Sequence, residues 1–212
     1  MHILCVFNSK GGVGKSTTCI HVGTAAAASM RVGILDLDAE GSETVSIWSK
    51  TRGEGNPPRV KSSNVMRLDA DIEEMRSAGA DLLILDCPPA NTAASATFVE
   101  AADFVVIPLQ PTMPDVAACH KATRIVKAAG KPFAYLLNCC PPSSIETQEA
   151  IAAVSGAGEI CPVIIGDRIA FSRALKSGSA VTEIAQTGKA YEEATAACKW
   201  ILDKIGAAHA AT

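Results

Sequence analysis

Ten residues, NSKGGVGKST from Asn8 to Thr17, limit this chain more than any other stretch. They follow the apolar run ILCVF, which begins at Ile3, and lead into a helical segment that begins at Lys15. A glycine-rich turn between a strand and a helix is the setting of a phosphate-wrapping loop. There the glycines let backbone N–H groups close around phosphate oxygens, and the helix N-terminus adds its dipole. Lys15 supplies a cation, and Ser16 offers its hydroxyl to Mg²⁺. The strict spacing G-x-x-x-x-G-K-[ST] requires glycine at position 9, where this chain has Ser9. A second lysine, Lys10, precedes the glycines.

A strand, loop and helix of this kind belong to an α/β fold, and the rest of the sequence keeps the same rhythm. Short apolar runs start at Ile3 (ILCVF), Val32 (VGILD), Leu82 (LLILD), Phe104 (FVVIP), Phe133 (FAYLLN) and Ile160 (ICPVII). Amphipathic segments near 15–29, 43–50, 69–78, 92–101, 115–129, 144–155, 168–177 and 189–205 are expected as helices. Right-handed crossovers then give a mostly parallel, twisted sheet with helices on both faces, in one domain over residues 1–212. Aromatics are only 4% of the chain, so its core must come mainly from Ala, Val, Ile and Leu, as parallel sheets allow. The stretches GEGNPP and CCPPSS read as surface turns.

The eight cysteines contain no C-x-x-C, which removes zinc and iron–sulfur spacings. No apolar run approaches the length of a bilayer span, and MHILCVF lacks the make-up of a secretory signal, so a cytoplasmic protein is expected. Residues 1–120 hold nine Lys/Arg against fourteen Asp/Glu, and the remainder ten against eight. That asymmetry alone supports no claim about nucleic acid.

Several polar residues stand at strand ends near the loop. Asp86 closes LLILD, where an acid beside a phosphate loop accepts from Mg²⁺-bound water, although acids at strand ends also form caps and turns. Asp36 and Asp38 stand at the end of VGILDLD. Asn138 ends FAYLLN; its carboxamide matches the donor–acceptor edge of adenine, and it serves equally as a turn residue. Arg168, Arg173 and Lys176 share a helical segment and form a candidate DNA-contacting cluster or an ordinary solvated face.

The spacing K-G-G-x-x-K-[ST], met by Lys10, Gly11, Gly12, Lys15 and Ser16, resembles the signature of the deviant Walker A ATPases. The segments VGILDLDAEGSETVSIWSK, LLILDCPPA, FVVIPLQPTMPDVAA and RALKSGSAVTE extend that resemblance to ParA-type partition ATPases, in the small class without an N-terminal DNA-reading domain. The resemblance implies a P-loop ATPase fold in which Lys10, Gly11, Gly12, Val13, Gly14, Lys15, Ser16, Thr17 and Asn138 bind ATP. It implies Mg²⁺ at Ser16, Asp36 and Asp86, with Asp36 supporting the metal and lysine network, and Lys10, Lys15 and Asp38 as catalytic groups, Asp38 positioning the attacking water. Lys10 would cross a two-fold axis to the partner's phosphates, so that two ATP molecules lie sandwiched in a homodimer. The ATP dimer would bind DNA without sequence preference on the nucleoid, through Arg168, Arg173 and Lys176. A ParB-like protein or other cargo adaptor would stimulate slow hydrolysis. The family's usual Pro-Gln after the second aspartate is Ala39-Glu40 here, which puts negative charge near the phosphates.

Three other readings bear on the same residues. A membrane-positioning relative of MinD type needs a basic amphipathic C-terminal helix. Here CKWILDKIGAAHAAT offers only a short stripe of Trp200, Ile201 and Ile205, better suited to packing on the domain, and no membrane partner is expected. A metabolic P-loop enzyme is disfavoured by Lys10 and by the cysteine spacing, and a nonenzymatic scaffold by Asp38 and Asp86.

Overall fold

The computed structural model describes residues 1–38, 43–89 and 94–206. Within them one sheet is built from β1 (His2–Val6), β2 (Val32–Asp36), β3 (Arg59–Ser62), β4 (Leu82–Asp86), β5 (Phe104–Leu109), β6 (Phe133–Leu137) and β7 (Glu159–Ile160). Every pair is parallel, in the order β3-β2-β4-β1-β5-β6-β7. The helices are α1 (Lys15–Ala26), α2 (Thr44–Arg52), α3 (Leu68–Ser77), α4 (Ala94–Glu100), α5 (Met113–Ala128), α6 (Ile145–Ser155), α7 (Ile169–Lys176), α8 (Val181–Ile184) and α9 (Lys189–Lys204). The expected parallel α/β architecture with helices on both faces is what forms.

Alternation along each strand divides the core in two. Ile3, Cys5, Leu35, Leu83, Leu85, Val105 and Ile107 face one layer, where Leu68, Met75, Phe98, Cys119, Val126 and Val154 of α3 to α6 pack. Leu4, Val6, Ile34, Ile84, Phe104 and Val106 face the other, against Ile20 of α1, Trp48 of α2, and Cys198 and Ile201 of α9. Each such Leu, Ile or Val contributes roughly 1.5–3 kcal/mol by leaving water. Helix α1 packs tightly on the sheet at Gly23, where a Cβ would come within 2.9 Å of Ile34 Cδ1. The C-terminal stripe packs as expected: Ile201 and Ile205 are buried in this second layer, and Trp200 lies against it.

Three elements differ from the sequence reading. β3 has the sequence RVKS, with charged side chains along a partly exposed edge, so it carries none of the apolar signal of a buried strand. The segment ICPVII is not one strand. β7 stops at Ile160, Pro162 has no N–H to give the ladder, and the chain rejoins the edge where Ile165 N–H donates to Leu137 O (2.9 Å). The short helix α8 lies in SGSAVTE, between the two expected C-terminal helices, and Arg168 stands at the N-cap of α7 rather than within it.

Helix α8 is tied to α1 through His21. Val181 N–H donates to His21 Nε2 (3.1 Å), so the ring proton sits on Nδ1 and is donated to Thr17 O (2.8 Å). Burial holds the imidazole below its ordinary value of 6.5, keeping it neutral in the fold. The unfolded chain therefore takes up a proton that the folded chain refuses. This contribution to stability is present above pH 6.5 and is lost as pH falls toward the folded value. We expect the gap in Tm between the wild type and a His21→Gln protein to change steadily between pH 7 and pH 5. A constant gap in thermal melts over that range would remove His21 as the titrating group.

Candidate nucleotide site

Register brings the carboxyl ends of the central strands level, with Val6 opposite Asp86 and Asp86 opposite Asp36. β1 lies between β4 and β5, and the chain turns to opposite sides of β1 at this point, which is where open parallel sheets leave a crevice for ligands. The loop from Asn8 to Gly14 fills the mouth of that crevice.

Side chains from neighbouring strands fix the loop from outside. Asn8 Nδ2 donates to Pro108 O (2.7 Å), and Asn8 Oδ1 accepts from Lys10 N–H (3.1 Å). Ser9 Oγ donates to Ala118 O (2.7 Å), Gln110 Nε2 to Gly12 O (2.8 Å), and Asn138 Nδ2 to Val13 O (3.0 Å). Ser9, where the strict motif has glycine, thus tethers the loop to α5. Gly14 has φ 95°, and a Cβ there would lie 1.8 Å from Asn138 Nδ2, so this position accepts only glycine. Among the described residues, no backbone N–H from Gly11 to Thr17 donates a hydrogen bond within the chain. Such a row of unpartnered donors at a helix N-terminus is a seat for an anion.

The cationic and acidic groups converge on this seat. Lys15 is 6% exposed and donates from Nζ to Lys10 O (3.0 Å). Burial lowers its pKa, against the pull of Asp86, Cys87 and Asp38. Asp86 is 1% exposed; Oδ1 accepts from Cys19 Sγ (3.5 Å), and Oδ2 is buried without a hydrogen-bond partner. Burial pushes Asp86 up to about 7, partly offset by the Ser16 hydroxyl, while Asp36 pushes it further up and Lys15 pulls it down. A buried carboxylate oxygen with no partner, next to the Ser16 hydroxyl, is a donor set suited to a hard divalent cation such as Mg²⁺. The expected metal residues Ser16 and Asp86 therefore fit.

Asp36 is placed differently from a ligand. Its Oδ2 accepts from Ser46 N–H (3.0 Å) and Ser46 Oγ (2.6 Å), and its Oδ1 accepts from Asp38 N–H (3.2 Å). It ties the start of α2 and the backbone of Asp38 to the strand end. Asp38 follows β2 beside the site, close enough for its charge to act on Lys15. Ala39 and Glu40 lie outside the described residues. Asn138 is buried; besides holding Val13 it accepts Cys139 N–H at Oδ1 (3.0 Å), which leaves it one amide hydrogen.

Lys10 folds back within its own chain. Its Nζ pairs with Asp115 Oδ2 at 2.7 Å, and Asp115 Oδ1 is buried without a hydrogen-bond partner. Thr112, the N-cap of α5, accepts Asp115 N–H and donates its hydroxyl to the same carboxylate. Asp115, Gln110 and Asn8 were missed as site residues. TMPD carries the signal of an N-cap with an acid three residues on, which marks a helix start without revealing what the acid holds.

Of the three candidate DNA contacts, Arg168 is engaged inside the chain, bidentate with Glu193 (Nε–Oε2 2.8 Å, Nη2–Oε1 2.5 Å). Arg173 and Lys176 are exposed on α7. The three do not form one free cationic surface.

The family model described as the CobQ/CobB/MinD/ParA nucleotide binding domain matches residues 4–196. The chain is 34% identical over 146 residues to the Maintenance of carboxysome distribution protein A of Gloeobacter kilaueensis, covering 68% of this chain and 65% of that protein. It is 29% identical over 150 residues to the Chromosome partitioning protein ParA of Caulobacter vibrioides, covering 52% and 56%. The matches thus span under two thirds of these relatives' length. In structure it is similar to the ATP complex of Cyanothece McdA(D38A), with a TM-score of 0.74 at 19% identity over 97% of this chain and 96% of that one.

Proposed function

Because this chain belongs to the CobQ/CobB/MinD/ParA nucleotide-binding domain family, we propose that it is a ParA-type ATPase that dimerises around ATP and positions a cargo in the cell. The observation that carries this reading is the pairing of an open phosphate seat with two lysines of different reach, Lys15 buried within it and Lys10 41% exposed at its mouth. A buried cation serves the phosphates of its own chain, whereas one at the rim, held in the single chain by Asp115, can turn to those of a second copy. Nucleotide then becomes a condition for pairing.

In this proposal Lys15 and the backbone from Gly11 to Thr17 hold the phosphates, and Asn138 meets the adenine with its remaining amide hydrogen. Ser16 and Asp86 hold Mg²⁺, which when bound neutralises part of the phosphate charge. Asp38 orients the attacking water, and Asp36, through its bond to Asp38 N–H, keeps Asp38 in place. Buried Cys19 and Cys87 have thiols pushed well up by desolvation, so they act as apolar lining.

The cargo is a DNA molecule or a protein body, recognised through an adaptor. The names of two relatives, one for carboxysome distribution and one for chromosome partitioning, support both. The more similar match, 34% identical and covering the larger share of this chain at 68%, favours a protein body carried along DNA.

An Asp38→Ala protein tests the reading. With ATP and Mg²⁺ it is expected to double in mass by light scattering and to stay paired, while steady-state hydrolysis falls by about 10²-fold or more. With ADP it is expected to be monomeric. Undiminished hydrolysis would take Asp38 out of the mechanism, and a mass that ignores nucleotide would defeat the switch.

A further inference from the structure

Helix α5 carries a cationic face that the nucleotide site does not use. At 100° per residue, Ala117, His120, Lys121, Arg124, Lys127 and Ala128 fall on one side of α5, and all six are exposed. The opposite side, with Cys119, Ala122, Thr123 and Val126, is buried against the sheet. The only acid of this helix, Asp115, is buried and paired with Lys10.

Cations elsewhere on the molecule are mostly compensated. Arg52 pairs with Glu183, Arg59 and Lys61 with Glu74, Arg67 with Asp71, Arg168 with Glu193, Lys199 with Asp203 and Lys204 with Glu159. Among the described residues, Lys121, Arg124 and Lys127 enter no ion pair. The acids on the flanking helices, Glu100 of α4 and Glu146 and Glu149 of α6, are exposed and leave these cations alone. A protein of formal net charge -3 thus keeps an uncompensated positive strip on one helix.

We infer that the outer face of α5 binds the phosphate backbone of duplex DNA, with Lys121, Arg124 and Lys127 as the contacting cations. From His120 to Lys127 the helix rises about 10 Å, a length over which duplex DNA presents about six phosphate charges. Beside the cations this exposed face carries only Ala117, His120 and Ala128, while Thr123 and Val126 turn inward, so the strip lacks the apolar anchors by which helix faces usually capture a peptide. Contacts of this kind hold a backbone and read no sequence. The inference deepens the proposed function by placing its DNA contact on α5, and it rests on that reading only for the requirement for ATP.

The test compares wild type, a Lys121→Gln/Arg124→Gln/Lys127→Gln protein and an Arg173→Gln/Lys176→Gln protein. Fluorescence anisotropy with a random-sequence 30-mer duplex, in ATP and Mg²⁺, is read across a salt series. Loss of three phosphate contacts is expected to flatten the slope of log K against log salt by about 2.7 and to weaken binding at least tenfold at 0.1 M salt. The α7 variant should keep the larger part of the wild-type slope. Basal ATP turnover and Tm of the α5 variant should match wild type, since none of its three residues touches the nucleotide seat.

An unchanged slope in the α5 variant, or a wild type that binds no duplex, overturns the assignment, and normal turnover in that case leaves the ATPase reading standing. If the α5 variant loses binding to poly-glutamate while keeping DNA, the strip serves an acidic polypeptide and the inference is equally overturned.

Discussion

A Lys10→Ala protein is expected to bind ATP through Lys15 yet to remain monomeric with ATP and Mg²⁺, with hydrolysis down by about 10³-fold or more, the scale on which a cation supplied in trans acts in phosphoryl transfer. The position of the ammonium group sets this expectation. In the single chain Lys10 Nζ is held 2.7 Å from Asp115 Oδ2, while its backbone carbonyl receives Lys15 Nζ, so one residue touches both the seat and the first turn of α5. To reach a second copy the side chain must leave Asp115, whose other oxygen is already without a hydrogen-bond partner. Releasing Lys10 would strand a buried carboxylate, and this opposes pairing until phosphate offers a better anion.

Asp115→Asn removes that charge while leaving an oxygen for the Thr112 hydroxyl. It is expected to lower the protein concentration at which ATP-dependent pairing is half complete, without affecting the monomeric state in ADP. Sedimentation of the three proteins across a concentration series reads both effects. If Lys10→Ala pairs and hydrolyses as wild type does, the second lysine has no part in the switch. If Asp115→Asn pairs no more readily, the contact within the chain does not restrain it.

Much of this could be read from sequence because the strongest signals were local. The glycine cluster is bounded by a buried strand and a helix, and the strand ends at Asp36 and Asp86 fell where periodicity put them. Elements stabilised by tertiary context were harder to see. RVKS forms a strand because β2 offers an edge, and its own side chains do not announce it. Asp115 lies 105 residues from Lys10, and no local pattern links an acid in a helix cap to a lysine in a distant loop. Arg168 looked like a free surface cation because its partner, Glu193, sits 25 residues further along, on α9. The α5 strip was visible in HKATRIVK only once the fold had shown which side of that helix faces solvent.

The second large effect concerns stability and has an uncommon sign: Asp86→Asn is expected to make the nucleotide-free protein more stable at pH 8 while abolishing Mg²⁺-dependent turnover. The folded chain holds the Asp86 carboxyl at about 7 instead of the ordinary 3.8. Between those values the unfolded chain releases a proton that the folded chain keeps. The stability from Asp86 is thus complete below pH 3.8 and is lost as pH rises through about 7. Ionised at pH 8, the buried group costs about 4 kcal/mol relative to its neutral form. An amide avoids that charge but buries an N–H₂ group of its own, so a net gain of about 2 kcal/mol, or roughly 4–8 °C in Tm, is expected.

The advantage of Asp86→Asn should narrow steadily toward pH 4. Because both proteins keep His21, its opposite titration cancels from the comparison. Adding Mg²⁺ and ATP should reverse the order, since a divalent cation beside Oδ2 supplies the charge that burial withholds, and the asparagine protein has no carboxylate to meet it. The increase in wild-type Tm with Mg²⁺ and ATP should also be larger at pH 8 than at pH 6, where the cation must first displace a proton. Calorimetric melts of both proteins, with and without nucleotide, decide the matter. A less stable Asp86→Asn protein at pH 8 without nucleotide, or an equal gain from Mg²⁺ and ATP in the two proteins, would mean that Asp86 is an ordinary strand-end acid and that the metal binds without it.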